Sequence, residues 1–292
     1  MNTSVAIIGG SGAYHLLRSG SFGDEIDSLI VDTPFGLGSP IHHFVGGGGL
    51  EFLFLSRHGE KEYSIAAPFV NYRANIYALK KCGAQRIISW SGPGIINRAF
   101  RPGEFIIPRD VIDETRNRES TFFKNRGHGF IRQRDPFCPQ IRGILHDAIH
   151  DEGLSHRDEA VYVCTEGPRL ESPAEIRKFR ILGGDLVGMT LLPEAFLARE
   201  LEICYAPICY LTNYAEGVLN RRHEKGVLFE GMQNEEEKSI VEKTIALFPT
   251  ILQGCFSTLQ DKERTCACKD AMLRYKNEGK IGADWQAWLG EK

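Results

Sequence analysis

Short apolar runs alternate with amphipathic segments through the middle of the chain. Runs rich in β-branched and aromatic residues at 160–165 and 203–212 predict strands buried in a sheet. Between them, Ser172, Pro173 and Glu175 form the N-cap, first-turn and capping-box pattern of a helix start. This alternation of strands and helices predicts a sheet that is covered by helices on both faces.

The same alternation continues over the rest of the chain. It predicts further strands at 5–8, 30–45, 50–55, 86–90, 104–108 and 185–189, and helices at 71–83, 139–153, 193–201 and 239–256. Residues 113–135 are polar, and a loop of this length usually covers a site or a subunit contact. We expect a main domain over 1–256. Residues 257–292 are expected to form a helical extension that packs on the body or on a neighbouring subunit.

Composition narrows the class of protein. The chain has 292 residues, with 42% hydrophobic and 25% charged residues, which is ordinary for a soluble globular enzyme. Its net charge of −3 gives no electrostatic reason to expect binding to nucleic acid or to an acidic membrane. No apolar run approaches the roughly 20 residues that span a bilayer. We expect no secretory leader, because residues 1–4 run directly into a strand.

Eight cysteines are scattered along the chain, and several lie inside apolar patterns, where a free thiol behaves as a small hydrophobe. This usage suggests a reducing, cytoplasmic location. Cys266 and Cys268 are separated by one residue, but no second Cys or His pair stands near them at zinc-ligand spacing. We therefore expect no metal site.

Polar residues gather where the predicted strands end, and ligands of open α/β sheets bind outside those ends. The glycine-rich turn at 9–12 follows the first strand, and its backbone N–H groups with the Ser11 hydroxyl would suit an anion; an ordinary tight turn is the alternative. Arg57 and His58 follow another strand and would suit a dianion, unless both are solvated loop residues. The other polar strand-end residues are Thr165, Glu166, Arg169, Glu171, Thr190, Thr212 and Asn213.

The ordered set of motifs resembles the trimeric purine nucleoside phosphorylase family, and within it the 5′-methylthioadenosine phosphorylase branch. The matching segments are GGSG at 9–12, VDTPFG at 31–36, SRHG at 56–59, VNYRANIYAL at 70–79, DPFCP at 135–139, TEGPRLESPAE at 165–175 and VGMTLLPEAFLARE at 187–200. The resemblance implies a single α/β domain with a mixed, partly barrel-like central sheet flanked by helices. It also implies a homotrimer without metal or organic cofactor, in which inorganic phosphate is a co-substrate and the purine nucleoside is cleaved to free base and ribose 1-phosphate.

The resemblance also assigns site residues. The phosphate ligands would be Ser11, Arg57, His58, Ser91 and Thr190. Gly92 would line the site, Met189 would lie beneath the ribose, and Leu170 would stack on the base. The resemblance assigns the pocket for the 5′ group less clearly. An apolar wall would be formed by Val227, Phe229, Met232 and a neighbouring subunit's Phe130, or His223 would bind a 5′-hydroxyl.

Two departures from the family pattern concern the base. Adenine-specific members carry aspartates at the positions of Asn213 and Ala215, so neither carboxylate exists here. Members that use hypoxanthine and guanine carry a glutamate at the position of Glu171 together with an asparagine at 213. A carboxylate accepts from the N1–H of a 6-oxopurine, and an amide donates to N7 or O6. Glu171 and Asn213 are therefore the expected catalytic residues, unless Glu171 is only an exposed neighbour of a helix start.

The sequence thus predicts phosphorolysis of a purine nucleoside or 5′-methylthionucleoside, with a preference for 6-oxopurines. Three alternatives remain open at this point. The first is methylthioadenosine phosphorylase activity, with Asn213 replacing an aspartate less effectively. The second is a hydrolytic nucleosidase. The third is a purine-binding member whose catalysis was lost through the changes at 213–215 and 60–69.

Overall fold

A computed structural model describes residues 3–11, 13–220 and 235–290. The strands are β1 (Val5–Gly9), β2 (Asp24–Leu29), β3 (Ile41–Val45), β4 (Glu51–Ser56), β5 (Arg86–Ser91), β6 (Gly94–Ile95), β7 (Phe105–Ile106), β8 (Asp110–Glu114), β9 (His156–Arg157), β10 (Val161–Thr165), β11 (Leu186–Gly188) and β12 (Cys204–Tyr210). The helices are α1 (Ala13–Arg18), α2 (Tyr72–Lys81), α3 (Pro139–Asp151), α4 (Pro173–Ile181), α5 (Glu194–Glu200), α6 (Glu235–Ala246), α7 (Phe248–Asp261), α8 (Leu273–Asn277) and α9 (Trp285–Trp288). Short 3₁₀ helices occur at Gly47–Gly49, Ala67–Phe69 and Ala267–Asp270.

The strands form two hydrogen-bonded sheets. The larger has the order β2-β3-β4-β1-β5-β12-β7-β9, and the smaller has the order β6-β11-β10-β8. In the larger sheet β4, β1, β5 and β12 are parallel, whereas β2, β3 and β4 form an antiparallel meander. A bridge between Ile95 and Tyr214 links the smaller sheet to the segment after β12. The prediction of a mixed α/β sheet flanked by helices is confirmed.

The centre of the larger sheet is fully buried. Every residue of β1, β5 and β12 is buried, which explains why these strands appear in the sequence as near-continuous apolar runs. Helices α3 and α5 pack against β12, and α7 packs against β1. The parallel strands are thereby held rigidly, and their carboxyl ends are fixed relative to one another.

Helix α4 begins as its sequence predicts. The Ser172 side chain accepts from the backbone N–H of Glu175 at 3.3 Å, and the Glu175 carboxylate accepts from the backbone N–H of Ser172 at 2.7 Å. This reciprocal pair satisfies two backbone donors that a helix start leaves without partners. The capping box therefore fixes the position of the segment just before the helix, which includes Glu171.

Other predicted elements differ in their bounds. The predicted helix over 239–256 is two helices, because Pro249 lacks the N–H needed inside a helix and lies in the first turn of α7. The predicted strand over 30–45 begins only at β3, since Pro34, Gly36 and Pro40 interrupt the preceding segment. Strand β2 escaped prediction because it is an exposed edge strand without apolar alternation.

The predicted long loop, which begins after β8, is anchored at its middle. Glu200 of α5 accepts from the Thr121 hydroxyl at 2.6 Å and from the Phe122 backbone N–H at 2.7 Å. Burial raises the pKa of the Glu200 carboxyl to about 7. Phe123 packs in an apolar cluster with residues of the tail, which are Met272, Tyr275, Ile281 and Trp288. The loop and the tail therefore form one packed layer on the body.

None of the helices within the three described ranges is long and apolar enough to cross a membrane.

Candidate active site

Polar segments from both sheets meet at one edge of the fold. The parallel order β4-β1-β5-β12 brings the carboxyl ends of these four strands side by side. The end of β11 in the smaller sheet reaches the same place, because the Thr190 hydroxyl lies 3.3 Å from the Ser91 hydroxyl after β5. The carboxyl ends of the four parallel strands and Thr190, which follows β11, therefore share this edge.

A buried ion pair lies beneath this edge. Arg57, which follows β4, is fully buried, and so is Glu194 at the start of α5. Arg57 Nε and Nη2 donate to the two carboxylate oxygens of Glu194 at 2.7 and 2.8 Å. Tyr205 of β12 also donates to Glu194, at 2.8 Å. Burial disfavours the guanidinium charge, but Glu194 more than offsets this, so the pKa of Arg57 lies above its ordinary value.

The remaining Arg57 donors point toward the ends of β5 and β1. Nη2 donates to the Ser89 hydroxyl at 2.6 Å, and Nη1 donates to the Trp90 carbonyl at 3.1 Å. A side chain at Gly10 would place its Cβ 3.1 Å from Nη1 and 2.7 Å from the Trp90 oxygen. Glycine at this position therefore leaves room beside Nη1, whose second hydrogen has no hydrogen-bond partner among the described residues.

His58 is held in one neutral form. Its Nδ1 lies 2.8 Å from the Ile65 carbonyl, which can only accept, so Nδ1 carries the hydrogen. Burial and then the charge of Arg57 lower the pKa of His58 to about 3. The Nε2 of the neutral ring is therefore a hydrogen-bond acceptor, whereas a dianion ligand is expected to need donors here.

A set of hydroxyl groups joins the two sheets. Ser91 Oγ lies 3.1 Å from the Tyr162 hydroxyl of β10 and 3.3 Å from Thr190 Oγ1. Tyr162 fits only because position 188 is glycine, where an added Cβ would lie 2.0 Å from the Tyr162 oxygen. All three hydroxyl residues are buried and can rotate their hydrogens toward an anion.

Glu171 is a buried side chain, not an exposed neighbour of the helix start. Only 9% of its surface is exposed, and its Oε1 accepts from the Thr165 hydroxyl at 2.6 Å. Thr165 is the last residue of β10, so this hydrogen bond ties Glu171 to the strand end. In the described part of the chain, no residue hydrogen-bonds to the second carboxylate oxygen, which remains able to accept from a ligand.

Asn213 has a fixed amide. Its Oδ1 lies 2.8 Å from the Thr212 hydroxyl, and its Nδ2 donates to the Tyr214 carbonyl at 3.0 Å, which leaves a second amide hydrogen. Ala215, two residues later, packs in an apolar cluster with Ile176 of α4 and Val187 of β11. Because residues after β12 and residues of α4 share this cluster, the segments that carry Asn213 and Glu171 lie close together.

The other predicted site residues lie around this edge. The Ser11 carbonyl accepts from the Tyr210 hydroxyl at 2.9 Å, which ties the first glycine-rich turn to the end of β12. Gly92 lies against the same tyrosine, since an added Cβ would be 2.8 Å from its ring. Met189 is half-buried, with its sulfur against Gly167, and Leu170 is also half-buried.

Of the residues predicted for the 5′ pocket, the structure describes Phe130. Phe130 is 79% exposed, although its backbone N–H donates to the Tyr275 hydroxyl at 3.0 Å. Val227, Phe229, Met232 and His223 lie outside the described residues.

Sequence reasoning missed Arg118 in the long loop. Its guanidinium donates to the carbonyls of Thr165 and Glu166 at 3.1 and 2.6 Å, after β10. It also donates to the carbonyls of Met189 and Leu192 at 2.5 and 2.6 Å, after β11. One buried arginine thus fixes the ends of two neighbouring strands. A single arginine in a polar loop gives no sequence signal for this role.

A family model described as the phosphorylase superfamily matches residues 4–246. The chain belongs to this superfamily. A 6-oxopurine nucleoside phosphorylase of Pyrococcus furiosus is 42% identical over 276 residues, which cover 92% of this chain and 97% of that protein. A probable S-methyl-5′-thioinosine phosphorylase of Methanothermobacter thermautotrophicus is 39% identical over 268 residues, covering 92% and 88%. The resemblance identified from the motifs is confirmed.

Solved structures of superfamily members share the whole fold. A methylthioadenosine phosphorylase from an antarctic soil metagenomic library superposes with a TM-score of 0.82 at 28% identity, covering 99% of this chain and 98% of that one. The methylthioadenosine phosphorylase of Schistosoma mansoni in complex with adenine gives a TM-score of 0.78 at 27% identity, covering 90% and 93%.

The buried ion pair gives a stability prediction. Changing Glu194→Gln leaves Arg57 charged and buried without its counter-ion, which should cost about 3–5 kcal/mol of unfolding free energy. Urea denaturation followed by circular dichroism measures this loss. The control is Glu159→Gln, the same chemical change in the exposed Arg109–Glu159 pair, and it should leave the unfolding midpoint unchanged. Equal midpoints for Glu194→Gln and the wild type would contradict this account.

Proposed function

We propose that the protein cleaves the N-glycosidic bond of a purine nucleoside with inorganic phosphate, with a preference for 6-oxopurines. The observation that carries the proposal is buried Glu171, whose second carboxylate oxygen is left to accept from a ligand. The nucleoside phosphorylase names of the relatives support the reaction class. In this reaction a phosphate oxygen bonds to C1′ of the ribose while the C1′–N9 bond breaks. The electron pair of that bond leaves with the purine.

Phosphate would be bound mainly by directed donors. Arg57 and Glu194 together carry no net charge, so the spare Nη1 hydrogen, the hydroxyls of Ser91 and Thr190 and the N–H groups near Ser11 would supply the hydrogen bonds. His58, in its neutral form, would accept from the protonated oxygen of the phosphate. It would thereby orient the three unprotonated oxygens, one of which faces C1′.

The departing base would be stabilised by two groups. Negative charge spreads over the purine ring as the bond breaks, and preorganised donors placed where charge develops lower the barrier. The remaining amide hydrogen of Asn213 would donate to N7 or O6. Glu171 would accept from N1–H and select bases that carry this hydrogen.

An adenine base fits this arrangement poorly. Adenine has no N1–H, so its N1 lone pair would face the Glu171 carboxylate, and each such mismatch costs about 1–3 kcal/mol. A carboxylate at position 215, which adenine-specific members have, would have to lie in the apolar cluster that holds Ala215. The two methylthioadenosine phosphorylases of known structure share the fold but are only 28% and 27% identical to this chain. The base preference is therefore argued from the residues of this chain.

Other parts of the assignment extend the proposal. We infer that no cofactor takes part in the reaction, since every group invoked here is a side chain, a backbone group or phosphate. A cytoplasmic location remains a prediction from the sequence. The 5′ specificity depends in part on Val227, Phe229 and Met232, which lie outside the described residues.

The phosphate site can be tested at Thr190. Changing Thr190→Val removes one hydrogen bond to a charged ligand, which is worth about 1.5–3 kcal/mol. The Michaelis constant for phosphate should therefore rise at least roughly tenfold. The measurement is initial rate against phosphate concentration at saturating nucleoside. Turnover without phosphate would indicate a nucleosidase, and no turnover at all would indicate a purine-binding protein.

The matched control for this change is Thr244→Val. Thr244 is also buried, but it donates within α6 and to Gly103, away from the strand ends. Its Michaelis constant for phosphate should stay at the wild-type value. An unchanged constant in the Thr190→Val enzyme would remove Thr190 from the phosphate site.

The base preference is tested by comparing substrates that differ only at the base. The kcat/KM for 5′-methylthioinosine should exceed that for 5′-methylthioadenosine by about tenfold to hundredfold, as expected for one or two mismatched hydrogen bonds. Glu171→Gln should reduce this ratio, because an amide can also donate to the N1 of adenine. The control Glu159→Gln changes an exposed carboxylate before the start of β10, at the opposite end of that strand from Thr165, and should leave the ratio intact. A wild-type ratio below one would mean that the enzyme is an adenine-releasing phosphorylase.

The expected homotrimer gives a prediction at Phe130. We propose that this exposed ring, held in place through Tyr275, completes the nucleoside site of a neighbouring subunit. Changing Phe130→Ala should raise the Michaelis constant of the nucleoside roughly tenfold or more, as expected for one lost buried aromatic ring, and leave that of phosphate unchanged. The control is Leu273→Ala, another exposed apolar residue. A fully active monomer in light scattering would refute the shared site.

A further inference from the structure

Four cysteines far apart in sequence meet at the base of the tail. The Sγ atoms of Cys138, Cys204, Cys266 and Cys268 all lie within 4.8 Å of one another, and all four residues are buried. The sulfurs of Cys204 and Cys266 are 3.3 Å apart. All four cysteines carry free thiols.

The spacing of these sulfurs suits one tetrahedral ion. Zinc bonds to thiolate sulfur at about 2.3 Å, so the edge of a tetrahedral four-sulfur site is about 3.8 Å. The 3.3 Å between the sulfurs of Cys204 and Cys266 is below this value, and the upper limit of 4.8 Å for the whole set is above it. A tetrahedral set of four sulfurs favours zinc among the common biological cations, because soft thiolate ligands do not suit magnesium or calcium.

Each cysteine is placed by a well-anchored element. Cys138 is the N-cap of α3, and its backbone N–H donates to the Tyr205 carbonyl at 2.7 Å, beside Cys204 at the start of β12. Cys266 is the N-cap of the 3₁₀ helix Ala267–Asp270, which contains Cys268. The cluster therefore joins the sheet, α3 and the tail at one point.

The surroundings suit the charge of such a site. Four thiolates and one divalent cation carry two net negative charges, which a buried site must offset. Arg199 Nη1 lies 3.7 Å from the sulfur of Cys268 and hydrogen-bonds to the Asp135 carbonyl through its other amino group. Arg86 and Arg264 lie close enough to interact electrostatically with Cys204.

We propose that Cys138, Cys204, Cys266 and Cys268 bind one zinc ion as a structural site. Four protein ligands fill the tetrahedral coordination shell and leave no position for substrate, so the ion would stabilise the fold and take no part in the reaction. Local spacing along the sequence gives no indication of this metal site, because no second Cys or His pair lies near Cys266 and Cys268. Here a Cys-X-Cys segment is completed by two single cysteines from other parts of the chain.

The site would support the long loop at 113–135 from a distance. It fixes the start of the tail, and the tail supplies Tyr275, whose hydroxyl holds the backbone of Phe130. Tyr275 and Trp288 also pack with Phe123 in the same loop. Loss of the ion should therefore loosen the tail and the loop before it affects the buried sheet.

The test uses full-length protein that is purified without metal-affinity chromatography and dialysed against a chelator. Elemental analysis should find one zinc per chain in the wild type and none in the double variant Cys266→Ser with Cys268→Ser. The control Cys255→Ala removes an equally buried cysteine of α7 and should keep its zinc. Loss of two of the four cysteines is expected to weaken the folding of the tail, so a second measurement uses the wild type. A mercurial reagent should release zinc in proportion to the thiols that it modifies.

Cobalt substitution adds a spectroscopic test of the ligand set. Cobalt bound at the site should show the strong sulfur-to-metal charge-transfer band and the visible bands of a tetrahedral tetrathiolate, and both should be absent from the double variant. Wild-type protein without metal whose intact mass lacks four thiol hydrogens would contain two disulfides, and that would overturn the proposal. Metal-free protein with all thiols reduced would overturn it as well, and so would zinc retained by the double variant.

Discussion

The candidate site depends on one buried ion pair. Arg57 and Glu194 have no access to solvent, and desolvating two such charges is expensive unless their hydrogen bonds are satisfied. They are satisfied here by contacts that reach across the fold. Arg57 comes from the end of β4 and bonds to Ser89 and Trp90 of β5, while Glu194 comes from α5 and also bonds to Tyr205 of β12. Four elements are thereby held in one relative position, which is the position that an anion site at their ends requires.

The pair would also determine how the proposed site binds phosphate. A carboxylate that neutralises the arginine removes most of the long-range attraction for an anion. In the proposed site, binding would then depend on short, directed hydrogen bonds from hydroxyls, backbone groups and one remaining guanidinium hydrogen. The atoms that carry these hydrogens are already in position before the substrate arrives, so the reaction would need little reorganisation of the site. Arg118 has a corresponding role on the other sheet, where it fixes the chain beyond β10 and β11 through their carbonyls.

Local sequence patterns predicted those features that depend on local interactions. Three kinds of feature could be predicted because each is encoded within a few residues: the buried strands β1, β5 and β12, the capping box of α4 and the polar strand ends. Features made by distant residues were not. Glu194 lies in a motif that the sequence singled out, yet nothing near it in sequence indicates that its partner is Arg57. The same holds for the four-cysteine cluster. Each cysteine is visible in the sequence, but only the fold shows that the four lie together.

The proposed base preference rests on residues that follow the strand ends, outside the buried strands themselves. Relatives named for 6-oxopurine substrates and solved structures named for methylthioadenosine share this fold, so the fold itself is compatible with both bases. Glu171 and Asn213 follow strand ends and are held by neighbouring hydroxyls, Thr165 and Thr212. Their replacement therefore leaves the ion pair and the buried strands in place. A change of base specificity requires only a change of the hydrogen-bonding groups at the strand ends. All of these groups must change together, because a partly changed site leaves a buried polar group without a partner. The combination of a carboxylate at 171, an amide at 213 and an apolar residue at 215 is one such consistent set, and it matches a base with a hydrogen on N1.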